Sequence, residues 1–262
     1  APGHAVLDDK IYHKGFLDFM IEIARKRAEL DPLTDPDAYW KGETYRAMDI
    51  CCDALIRFGQ RYADEARRQA EATSDEVRRQ ELLRIEAVCR HVPAHAPRDF
   101  HEALQMYWFV HLGVISELNT WDSFNPGRLD QHLNPFYRQG LVTQTLSADS
   151  ARELLSCFWV KFNNQPAPPK VGITEEQSGT YTDFALINIG GIDATGGDAV
   201  NDISFMVLDV MEEMRLTQPS GCIQLATCNP DRFLHRACEV VRTGFGQPSI
   251  FNTDVIVEEL LN

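Results

Sequence analysis

"DFALINIGGIDATGGDAVND", residues 183–202, passes from an apolar run through two pairs of glycines to Asp and Asn just ahead of "ISFMVLDVMEEMRLT". Short apolar runs next to glycine turns read as strands, and long runs behind Asp or Asn read as helices. The segment is therefore read as a strand, a tight turn and a helix start. Working outward, "SGCIQLAT" (220–227) is strand-like and "NPDRFLHRACEVVRTG" (229–244) is a helix with a glycine stop. "QPSIFNT" (247–253) is a short strand. Strand, helix, strand, helix, strand is the order of parallel pairing, since each crossover needs a helix-length connection. The strand-like stretches at 185–189, 222–226 and 249–251 are expected side by side and parallel. The turn has neither GxGxxG nor GK[ST] spacing, which argues against a nucleotide loop. Gly190, Gly191, Gly196 and Gly197 are read as tight-turn residues, and Asp198 as the cap of a helix beginning near Ala199.

Upstream the texture is helical. Lys10 to Leu30 reads as one amphipathic helix, Lys41 to Glu71 as a second, and the segment after Ser74 or Asp75 as a third. Asp99 is placed to cap a helix from Phe100 to about Leu118, buried on one face through Leu104, Tyr107, Trp108, His111 and Leu112. Ser147 precedes another helix, and "QPAPPK" is expected to be extended, because each proline removes a donor and biases its predecessor away from the helix. The fold class is thus α/β, helical over 1–175 with parallel strand–helix units over 176–262.

A net charge of −14 over 262 residues argues against nucleic acid or an anionic membrane surface as the main partner. No apolar run reaches membrane length and no secretory signal opens the chain, so a cytoplasmic protein is expected. The seven cysteines, Cys51, Cys52, Cys89, Cys157, Cys222, Cys228 and Cys238, form no CxxC pair and no zinc spacing. They are read as buried, reduced thiols. No metal site and no nucleotide site is expected.

HExxH, a serine elbow and usefully spaced carboxylate pairs are all missing. The eight histidines are scattered. His4 stands apart, because "PGH" sits where a strand ends and a loop begins, a usual place for binding groups. In "SFNPGRLDQHLNPFY" (123–137) a Pro-Gly break precedes Arg128, Asp130 and Gln131. Their spacing suits turn-fixing hydrogen bonds and ion pairs. Pattern alone gives no mechanism.

Five stretches taken together resemble the glycyl radical enzymes, the pyruvate formate-lyase-like family. They are "APGHAVLDDKIYHKGFLDF", "PRDFHEALQMYWFVHL", "FNPGRLDQHLNPFY", "NIGGIDATGGDAVNDISFMVLD" and "GFGQPSIFNTD", in order from end to end of the chain. The resemblance implies a single barrel domain of ten strands in two parallel halves, ringed by helices. It also implies a glycyl radical that generates a thiyl radical, which takes a hydrogen atom from a small polar substrate. A radical S-adenosylmethionine activating enzyme, a homodimer and an anaerobic setting come with it.

None of the seven cysteines matches the thiyl position. The family's Cys-x-Glu loop is expected shortly after Asn262 and its radical glycine much later, so the chain is read as an internal fragment without catalytic residues of its own. What the resemblance leaves here is one wall of the pocket: His4 toward a substrate hydroxyl, Asn125 lining the pocket, and Phe184 packing on the substrate. "NTWDSFNPGRLDQH" with the region 161–191 looks most like the branch that cleaves the C–S bond of isethionate or dihydroxypropanesulfonate and releases sulfite. Alternatives are a glycerol or propanediol dehydratase, a choline trimethylamine-lyase, a pyruvate formate-lyase-like acyltransferase, or a non-catalytic helical scaffold.

Overall fold

The computed structural model describes residues 4–117, 124–164 and 185–261. The chain resolves into two compact units, residues 9–110 and residues 1–8 with 111–262.

The first unit is helical: α1 (Lys10–His13), α2 (Phe16–Ala28), α3 (Ala38–Ala72), α4 (Glu76–His91) and the opening turns of α5 (Phe100–Glu117). The helix expected over Lys10 to Leu30 breaks at Gly15. A Cβ there would lie 2.2 Å from the carbonyl oxygen of Ala94 and 2.3 Å from the Cα of His95. The chain instead bends, and the freed N–H groups of Phe16 and Leu17 donate to the carbonyls of Pro93 (2.9 Å) and Ala94 (3.1 Å). Asp75 caps α4 as expected, accepting from the N–H of Val77 at 2.9 Å and of Arg78 at 3.2 Å. Asp99 accepts from the N–H of Glu102 at 2.9 Å. The α5 helix is not buried on one face alone: Phe100, Ala103, Leu104, Met106, Tyr107, Trp108, Phe109, Val110 and His111 are all buried. At about 100° per residue that run covers the whole circle, which makes α5 a core helix rather than an amphipathic one.

The second unit holds β1 (His4–Ala5), β2 (Phe124–Asn125), α6 (Leu129–Val142), α7 (Ala148–Asn163), β3 (Leu186–Gly190), α8 (Asp202–Met214), β4 (Ser220–Leu225), α9 (Asp231–Arg242), β5 (Ser249–Asn252) and α10 (Thr253–Leu261). β3, β4 and β5 pair in that order, both pairs parallel, as the alternation of elements required. Ile187, Ile189 and Ile223 are at most 1% exposed on the face that meets the helices. β5 is exposed at all four of its residues. Ser147 caps α7, accepting from the N–H of Ser150 at 3.1 Å. Asp198 does not cap α8. Asn201 does, accepting from the N–H of Ile203 at 2.9 Å, while the hydroxyl of Ser204 accepts from the N–H of Asn201 at 3.0 Å. The helix starts three residues later than expected because Asp198 is spent on the turn, accepting from the N–H of Val200. The "QPAPPK" segment lies outside the described residues.

Candidate functional site

Two strands far apart in sequence meet at the start of the second unit. β1 pairs with β2 in parallel, His4 opposite Phe124 and Ala5 opposite Asn125. Three residues on, Arg128 makes a parallel bridge to Asn188 of β3. The backbones of β1, the 124–128 segment, β3, β4 and β5 therefore follow one another as neighbours. Ligands of parallel sheets bind beyond the carboxyl ends of the strands. That end of β3 is the glycine turn that begins at Gly190.

The turn is held from several sides. Gly190 and Gly191 adopt φ of +77° and +72°, where side chains are strained. A Cβ on Gly190 would sit 2.6 Å from the Phe233 ring and 2.8 Å from the carbonyl oxygen of Gln224. From α6, Asp130 accepts from the N–H of Gly190 at 2.8 Å and from the hydroxyl of Ser204 at 2.5 Å, through the same oxygen. Its other oxygen accepts from the N–H of Gln131 at 2.9 Å. Asp130 is fully buried, and burial pushes its carboxyl up to about 6 while these donors pull the other way. The guanidinium of Arg128 donates to the carbonyl oxygen of Ile192. Asn229 donates to the carbonyl of Gly191 and to Asp198, each at 2.7 Å.

Beside the turn a chain of polar side chains runs from β3 through β4 to the first residue of α10: Asn188 and Gln224 are 3.3 Å apart, and Gln224 and Thr253 are 3.2 Å apart. Nothing in the sequence pattern pointed to Asn229, Ser204 or this row.

Of the three residues expected to touch a substrate, His4 and Asn125 lie on adjacent strands, and Asn125 is buried. The Asn125 side-chain oxygen accepts from the N–H of Gly127 at 2.9 Å, so it fixes the Pro-Gly turn. Phe184 and the imidazole of His4 lie outside the described residues. Expected to fix the Pro-Gly turn beside them, Arg128 and Asp130 hold a different turn, some 60 residues away. The cysteines depart from expectation. Cys52, Cys89 and Cys222 are buried, whereas Cys51, Cys157, Cys228 and Cys238 are exposed, because each of the four sits on the outward face of a helix or in a loop. Among the described residues no helix is long and apolar enough to cross a membrane, and no cluster of three potential ligands would hold a metal ion.

The family model of the pyruvate formate lyase-like proteins matches residues 1–262. The chain belongs to the pyruvate formate lyase-like, glycyl radical enzyme family. Within that family it is 56% identical over 261 residues to trans-4-hydroxy-L-proline dehydratase of Clostridioides difficile, which covers 100% of this chain and 33% of the relative. The crystal structure of that enzyme with trans-4-hydroxy-L-proline bound superposes with a TM-score of 0.93. The isethionate sulfite-lyase of Desulfovibrio desulfuricans is 34% identical over 252 residues, 95% of this chain and 30% of the relative. The glycerol-bound B12-independent glycerol dehydratase of Clostridium butyricum matches with a TM-score of 0.88 at 32% identity, over 99% of this chain and 32% of that one. This family member thus spans about a third of the length of the relatives it matches. The expected leaning toward the sulfonate-cleaving branch is not supported, since the likeness to the hydroxyproline dehydratase is far higher.

Proposed function

We propose that this chain is part of a glycyl radical dehydratase that removes water from a cyclic hydroxy amino acid of the trans-4-hydroxy-L-proline kind. The observation that carries the reading is 56% identity over the whole chain to a dehydratase of that substrate, against 34% to a sulfite-lyase. The parallel pairing of β1 with β2 is in keeping with it, since it makes neighbours of the strands that carry the candidate contact residues His4 and Asn125. The radical, held elsewhere in the protein, supplies hydrogen-atom abstraction. The chain's own groups bind the substrate and orient the carbon to be attacked. In this reading His4 meets the substrate hydroxyl, Asn125 lines the pocket beside it, and Phe184 packs on the ring.

The test is direct. The full-length polypeptide carrying this chain is activated without oxygen by a radical S-adenosylmethionine enzyme and its radical quantified by electron paramagnetic resonance. It is then offered trans-4-hydroxy-L-proline, glycerol and isethionate. Dehydration of hydroxyproline is expected to exceed the other reactions in kcat/KM by at least about a hundredfold, the scale a polar site reaches against a mismatched substrate. Sulfite release from isethionate with hydroxyproline inert would overturn the proposal. His4→Ala is expected to lower kcat/KM at least roughly tenfold at equal radical content, since one decade is about 1.4 kcal/mol of lost transition-state binding.

A further inference from the structure

The Gly190–Gly191 turn is held by two side chains that lie two positions apart and sixty residues upstream. Asp130 takes the N–H of Gly190 on its buried side, and Arg128 reaches the carbonyl of Ile192 on its exposed side. The ionised Asp130 faces three donors: the Ser204 hydroxyl, which itself accepts from the N–H of Asn201, and the backbone N–H groups of Gly190 and Gln131. A carboxylate that receives three donors is an acceptor only, and no other side chain of this size can fill that role. Arg128 is also the residue whose backbone bridges to Asn188, three positions after Asn125. Any shift of the turn is thus passed directly to the strand segment that carries Asn125.

We propose that Arg128 and Asp130 are positioning residues for catalysis: they set the place of the Gly190–Gly191 turn against the Asn125 segment, and so the width of the pocket between them. Neither touches the substrate. This rests on the dehydratase reading, and the test below separates the two. Misplacing a reacting carbon by about 1 Å can cost a hundredfold in rate, so small slips of this turn are costly for turnover and mild for folding.

The experiment compares wild type, Asp130→Asn and Arg128→Ala in the full-length, activated enzyme, with kcat and KM on trans-4-hydroxy-L-proline expressed per radical. Asp130→Asn keeps the size but turns one end of the carboxyl into a donor, so one of the three contacts is lost. It is expected to lose at least about tenfold in kcat per radical while remaining folded. Arg128→Ala removes an exposed side chain, so the fold is kept even if Asp130→Asn fails to fold. A several-fold fall in kcat is expected of it, with Arg128→Lys recovering part. Hydrogen exchange over residues 189–198 is expected to quicken in both variants. Normal turnover per radical in Arg128→Ala, or turnover that falls only in proportion to folded protein, overturns the proposal. If wild type does not act on hydroxyproline, the dehydratase reading fails, and the exchange measurement still decides: unchanged exchange at 189–198 overturns the positioning role.

Discussion

Asp130 is a fully buried carboxyl group with three donors, and its position on the pH scale follows. Burial raises it from 3.8 to about 6, a cost of about 3 kcal/mol for keeping the charge at neutral pH. The native state therefore holds the proton more tightly than the unfolded chain. The stability tied to that proton is fully present below about pH 4, falls as pH rises to about 6, and is level above. Measured relative to wild type by urea unfolding at a series of pH values, Asp130→Asn is expected to gain up to about 3 kcal/mol between pH 4 and 7. A difference that stays flat over that window would show that the carboxyl does not titrate there. Gly190→Ala tests the same spot from the backbone. A Cβ at φ +77° and 2.8 Å from a carbonyl oxygen combines left-handed strain with overpacking, for an expected loss of about 2–5 kcal/mol.

At the scale of elements, the parallel strands were legible because short isoleucine-rich runs alternate with long helical ones between clear turn residues. Local chemistry also revealed the caps at Asp75, Asp99 and Ser147. It failed at Asp198, where two candidate caps lie three residues apart and only the turn's own hydrogen bonds choose between them. Asn201→Ala is accordingly expected to cost about 1 kcal/mol and to lower the melting temperature. The break at Gly15 was invisible for a different reason: its cause is backbone at Ala94 and His95, some 80 residues distant. The same holds for the site. The glycine turn could be seen in the sequence, but the partners of Asp130 are 60 and 74 residues away, and no spacing rule reaches that far.

For the whole molecule, burial within this chain sets a floor, since further polypeptide can only cover more surface. Cys52, Cys89 and Cys222 are expected to resist a thiol reagent in the folded full-length protein and to label on unfolding. The Cys52 thiol is pushed up to about 11, chiefly by burial, which slows it further. Native labelling of any of the three at the rate of a free thiol would contradict the packing. The pairing of β1 with β2 has a different kind of consequence, in time. His4 must wait for Phe124, and the 120 residues between them take roughly 6–24 s to synthesise at about 5–20 residues per second. Closing so long a loop also carries an entropic cost that local helical contacts do not bear. The helices of residues 9–110 can therefore form while the segment carrying His4 still lacks its partner. In pulse-labelled refolding, amides of α3 and α4 are expected to gain protection before that of Ala5. The strand that bears a proposed substrate contact is made before its partner and finished late.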